Sequence, residues 1–165
     1  AGLETLVFGT IAGKSAAEYL QHAAPAELDD ETVDDFVCDT LSLCGKKPVE
    51  AELLAKLRAQ MGEILSDKLN VLRCGTELAS AVDEFGAMLE TLEETSLDGV
   101  SAKLKFDTIR LVNDLQAAYL LAVSAYTRTG SMGCHVRTDS VDEKEKYRIV
   151  IRNTPDGAAV TKTQL

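Results

Sequence analysis

Basic residues are scarce in this chain: 17 lysines and arginines stand against 27 aspartates and glutamates, a formal charge of −10 over 165 residues. Phosphate backbones and anionic membrane surfaces both require concentrated Lys and Arg, so nucleic acid and acidic bilayers are poor partners for it. Long apolar runs are missing too. No stretch approaches the roughly 20 residues of a membrane span, and no charged-then-apolar leader with a small-residue cleavage site occurs. The expectation is a cytoplasmic protein without direct membrane insertion.

Metal-binding and catalytic signatures are equally sparse. The four cysteines, Cys38, Cys44, Cys74 and Cys134, form no C-x-x-C pair, and neither His22 nor His135 stands at ligand spacing from them. Cys38 and Cys44 fall on opposite sides of a probable helix, so reduced structural thiols are expected and no metal site is assigned. There is no nucleophile elbow, phosphate loop or paired-His motif, and no catalytic residue is assigned. The one dense polar cluster is Arg128-Thr-Gly-Ser-Met-Gly-Cys-His-Val-Arg-Thr-Asp139. On residue chemistry alone it reads as a glycine-rich bend whose Ser, His and Arg satisfy local backbone groups, because no carboxylate partner for His135 can be assigned.

What the chain does contain is helical periodicity. At its start Leu6, Gly9, Gly13, Ala16, Ala17 and Leu20 form a stripe of mostly small residues at three- and four-residue spacing. Two interior glycines cost such a helix about 1 kcal/mol each relative to Ala, so a close neighbour is expected on that face. Pro25 breaks the helix, and the acidic Glu27-Leu-Asp-Asp-Glu31 starts a second, shorter one ending near Gly45. A third is expected to open at Pro48 with Leu53, Leu57, Met61 and Ile64 on its apolar face. The fourth carries Leu78, Val82, Phe85, Met88, Leu89 and Leu92 and closes at the turn Ser96-Leu-Asp-Gly99. The fifth runs from Ser101 to Thr127, apolar on more than one side in its second half, and should touch two neighbours. Beyond it, Tyr147 to Arg152 alternates like a strand, Asn153-Thr-Pro-Asp-Gly157 supplies a turn, and Ala158 to Thr163 returns as its partner.

The fold class is therefore all-α: an antiparallel bundle of three long helices, with an N-terminal helix, a short one and a small C-terminal β-hairpin. The segments are 1–24 for the terminal helix, 25–47 for a linker with the short helix, 48–130 for the bundle, and 131–165 for the turn and hairpin.

Three ordered motifs carry a resemblance. Leu3-Glu-Thr-Leu-Val-Phe-Gly-Thr-Ile-Ala-Gly13, then Leu57-Arg-Ala-Gln-Met61 with Asn70-Val-Leu-Arg73, then Ser131-x-Gly-x-His-x-Arg-x-Asp139 resemble the C-terminal portion of the succinate dehydrogenase, fumarate reductase and L-aspartate oxidase flavoproteins. Ser131, Gly133, His135, Arg137 and Asp139 agree with the family pattern. Gly130 and Met132 depart from it, standing where an acidic and a basic residue are usual. The Gly-Cys-His-Val-Arg form leans towards L-aspartate oxidases.

The resemblance implies the helical domain of an FAD-dependent oxidoreductase acting on a four-carbon dicarboxylate. Residues 1–24 would be the last element of the FAD-binding domain, with the backbone of Ala1, Gly2 and Leu3 at the flavin. The positive end of that helix suits charge developing on a reduced flavin. Gly9, Gly13, Ser131, Gly133, His135 and Arg137 would serve docking between domains. The implied partners are the FAD-binding and capping domains and, for the fumarate reductase type, an iron-sulfur subunit. The resemblance places the FAD fingerprint and the substrate-binding residues upstream of this segment, so the 165 residues alone are expected to be inactive and to retain no FAD. The alternative is a stand-alone acidic helical module that recruits a basic partner without catalysing anything.

Overall fold

Among the described residues, helical periodicity is realised in four helices. A computed structural model of the protein describes residues 2–24, 47–140, 147–154 and 157–164. The chain divides into two units, 1–39 and 40–165. In the first, α1 spans Gly2–Leu20 and is exposed along its length, with Leu3 77% and Phe8 66% accessible. The expected short helix after Pro25 lies outside the described residues, as do Cys38 and Cys44.

In the second unit α2 (Ala51–Lys68), α3 (Gly75–Glu93) and α4 (Ala102–Thr127) form the bundle. Its core is a set of matched stripes. Helix α2 contributes Leu54, Leu57 and Ile64, α3 contributes Leu78, Ala81, Phe85, Met88 and Leu92, and α4 contributes Leu111, Val112, Leu115, Ala118, Ala122 and Ala125. Phe85 is the largest fully buried side chain. Helix α4 packs on both α2 and α3, as its apolar second half requires. Part of that half stays open, however: Leu120, Leu121 and Tyr126 are 41–49% accessible.

Two details correct the sequence reading. Pro48 does not open a helix. It lies in a two-residue strand, β1 (Lys47–Pro48), parallel to β3 (Thr95–Ser96), and α2 begins at Ala51 after Glu50. Pairing in the ladder fixes Pro48 in extended backbone, and the neighbouring Val49 N–H donates to the Ser96 carbonyl at 3.0 Å. The buried stripe of α2 also runs through Leu54, while Leu53 and Met61 are half-buried at its edge. A second small pairing, β2 (Leu72–Arg73) parallel to β4 (Val136–Arg137), joins the α2–α3 connection to the segment after α4. The hairpin forms where expected, β5 (Tyr147–Thr154) antiparallel to β6 (Gly157–Gln164), but its ladder takes in Asn153, Thr154 and Gly157, which the sequence reading gave to the turn. Among the described residues, no helix is long and apolar enough to cross a membrane.

Candidate functional site

The polar segment that follows α4 folds back across the start of α3, and the β2–β4 pairing holds it there. Val136 N–H donates to the Val71 carbonyl at 3.1 Å and Thr138 N–H to the Arg73 carbonyl at 2.9 Å. Reciprocal backbone hydrogen bonds between Met132 and His135 close a tight turn, and Gly133 occupies it at φ +59°, a left-handed conformation that favours glycine. Ser131 Oγ accepts from the Arg137 N–H at 2.9 Å. Four of the residues picked out by motif, Ser131, Gly133, His135 and Arg137, thus come together in one loop.

Arg137 is the centre of the arrangement, and its side chain is only 6% exposed. Its Nε and Nη2 donate to the two Asp139 oxygens at 2.8 and 3.0 Å, and Nη1 donates to the Arg128 carbonyl at 2.8 Å. Asp139 Oδ2 in turn accepts from the Gly75 N–H at 2.8 Å. Helix α3 has no cap of its own, because Cys74 at the N-cap position makes no side-chain cap bond. A carboxylate 64 residues further along the chain supplies it instead. The Arg137 guanidinium, helped by the Gly75 N–H, holds the Asp139 carboxyl well below the usual carboxylate range. The same pairing raises Arg137.

Gly75 makes this contact possible. A Cβ there would lie 2.6 Å from Arg137 Nη2 and 2.7 Å from Asp139 Oδ2. Neither Gly75 nor Arg73 stood out as a site residue from the sequence. An available signal for the first was a helix start with glycine and no conventional cap.

His135 lies between two arginines. Its Nδ1 is 2.8 Å from Arg73 Nη1 and its Nε2 is 3.2 Å from the Arg128 carbonyl. A guanidinium is donor-only, so Nδ1 accepts and Nε2–H donates, which defines a neutral tautomer. Burial and the charges of Arg73, Arg137 and Arg128 push the imidazole down, against the opposing effect of its bond to the Arg128 carbonyl. With Arg73 on one side and a carbonyl on the other, His135 bridges two strands of chain. Arg128 also reaches β5, donating to the Tyr147 carbonyl at 2.9 Å and stacking 4.6 Å from that ring's centroid, with Lys162 at the same distance.

The remaining expected site residues lie in the other unit. Ala1 is outside the described residues, and Gly2 and Leu3 form the first turn of α1. At Gly9 and Gly13 nothing among the described residues would meet an added Cβ within 4 Å.

The bundle is latched by an arginine–carboxylate turn and carries a hairpin after it, and these contacts hold distant chain segments together. Comparison with known proteins identifies the family. Residues 58–157 match the family described as fumarate reductase flavoprotein C-term, and the chain belongs to that family. It is 30% identical over 143 residues to the fumarate reductase flavoprotein subunit of Proteus vulgaris, covering 82% of this chain and 23% of that protein. It is 27% identical over 144 residues to the succinate dehydrogenase flavoprotein subunit of Coxiella burnetii, covering 84% and 24% respectively. A solved quinol fumarate reductase of E. coli shares the fold, with a TM-score of 0.68 and 22% identity over 98% of this chain and 29% of that one. The chain spans about a quarter of the length of these curated relatives.

Proposed function

We propose that this chain is the helical C-terminal domain of an FAD-dependent oxidoreductase acting on a four-carbon dicarboxylate, and that it packs against the FAD-binding and capping domains of the same protein. The observation that carries the reading is the family match over residues 58–157. Helix α1 supports it from another direction. Leu3, Leu6, Phe8, Ile11, Tyr19 and Leu20 are all more than half exposed, which suits a helix whose apolar surface is covered within a larger protein.

The first turn of α1 fits a flavin ring edge in its chemistry. A helix leaves its first N–H groups without carbonyl partners inside the helix, and the backbone of Gly2 and Leu3 occupies that positive end. FAD, when bound, supplies hydride acceptance. This chain's part is to place donors and a positive helix end beside the ring, and to offer Gly9 and Gly13 as a flat surface for the neighbouring domain. Ser131, Gly133, His135 and Arg137 keep the bundle in the shape that neighbour requires. Iron-sulfur partnership belongs to the fumarate reductase branch of the reading.

The Gly133-Cys-His-Val-Arg137 form favours an L-aspartate oxidase as the second reading. One assay separates the branches. The full-length protein, supplied with FAD, is compared for dye-linked succinate oxidation, fumarate reduction and peroxide release from L-aspartate. Activity on succinate or fumarate selects the dehydrogenase and reductase branch, and peroxide with aspartate alone selects the oxidase. Failure with all three overturns the proposal. The 165 residues by themselves are expected to turn nothing over and to purify colourless; stoichiometric bound flavin would count against this division of labour.

A further inference from the structure

A second feature of the bundle has the makings of a ligand site, separate from the α1 terminus. A cavity of about 480 Å³ opens between the C-terminal end of α4, the Met132–His135 turn and the start of β5. Arg73, Arg128 and Arg148 all line it, with His135 among them and Leu121 and Met132 contributing apolar surface. Its volume falls in the range of small-molecule pockets, roughly 300–1,000 Å³.

Among the described residues no carboxylate forms an ion pair with an arginine of this cavity; the ion pairs are Arg58–Asp114, Lys68–Glu84, Lys103–Asp107 and Arg137–Asp139. Arg73 is spent on carbonyls and on His135, which fixes its position. Arg128 uses Nη2 on the Tyr147 carbonyl, leaving other N–H groups without a described partner, and Arg148 is exposed. His135 adds no charge of its own in its neutral tautomer. Three arginines thus line one concavity of a chain whose formal charge is −10. Fixed guanidinium forks are the geometry that carboxylate and phosphate groups bind best.

Beside the cations, Leu121 and Met132 are 48% and 50% exposed. An inorganic ion has no use for that surface. We propose that this cavity binds a small organic oxyanion, with its carboxylate or phosphate group held by Arg128 and Arg148 and an apolar body resting on Leu121 and Met132. The inference does not depend on the flavoprotein reading, since every residue it uses lies within residues 73–148.

Calorimetric and NMR titrations of the 165-residue protein with hexanoate, acetate, phenyl phosphate and inorganic phosphate test it. Expected are saturable binding of hexanoate or phenyl phosphate, tighter than that of acetate or inorganic phosphate, with shifts of the Met132 methyl and of the His135 ring. Which of the two organic anions binds tighter identifies the headgroup. Arg148→Gln, at an exposed position, should weaken binding by at least about fivefold. Arg152→Gln, on the same strand but away from the cavity, should leave it unchanged. No saturable binding of either organic anion, equal affinity for the inorganic ions, or equal weakening by Arg152→Gln overturns the proposal.

Discussion

Arg137 and Asp139 form a two-pronged pair, Nε to Oδ1 at 2.8 Å and Nη2 to Oδ2 at 3.0 Å, and through it the segment after α4 caps the start of α3. The guanidinium is nearly buried while the carboxylate is 41% exposed, so the arginine depends on the pair more than the aspartate does. The consequences of this asymmetry can be measured.

Arg137→Lys keeps the charge and loses the fork. A lysine ammonium cannot reach both Asp139 oxygens and the Arg128 carbonyl together, so the variant should lose about 1–3 kcal/mol of unfolding free energy in urea titrations. Wild-type stability in this variant would show that charge alone suffices.

The pair also makes stability depend on acid. The folded-state pKa of Asp139 is depressed, so its contribution is complete above the ordinary carboxylate value and is lost as pH falls towards the folded value. The window therefore lies below about pH 4. Asp139→Asn should be less stable than wild type at neutral pH, with the gap narrowing as the pH is lowered through that window. A gap constant with pH would separate the stability effect from the charge. Glu84, lowered by its hydrogen bonds to Lys68 and Ser80, adds to the wild-type acid limb in the same direction.

His135 acts in a higher window with the same slope. Its folded pKa is lowered, so the unfolded chain takes up the proton first as pH falls below about 6.5, and stability declines with it. His135→Gln should flatten the melting temperature between about pH 5 and 6.5 relative to wild type.

Two glycines of one helix should respond with opposite signs. Gly75→Ala drives a methyl into Arg137 and Asp139 and should destabilise by about 1–3 kcal/mol. Gly86→Ala meets nothing within 4 Å and should stabilise by about 0.5–1 kcal/mol through helix propensity. Chemical denaturation of both reads the contrast directly, and a loss at each position alike would remove the steric argument for Gly75.

Most of the bundle was legible because its signals are local. The stripe of α3, the start of α4 near Ser101 and the alternation of β5 each depend on residues a few positions apart. Pro48 was misplaced because its strand partner Ser96 lies 48 residues away in sequence, and a two-residue strand leaves no periodicity to read. The Ser-x-Gly-x-His-x-Arg-x-Asp loop was visible as a motif, but its binding partners were not. Gly75 drew no notice, since its role arises only when Arg137 arrives beside it.

Sequence by itself determined the helices, the hairpin, the acidic character and, through three ordered motifs, the family. Short-range periodicity and turn chemistry fix those, and a motif is by nature a linear object. Tertiary structure decided that Asp139 caps a helix it does not belong to, that His135 is neutral between Arg73 and a carbonyl, and that three arginines line one cavity. Charge and hydrogen bonding act across a few ångströms of space, and which side chains come within that reach is settled only when the chain folds back on itself.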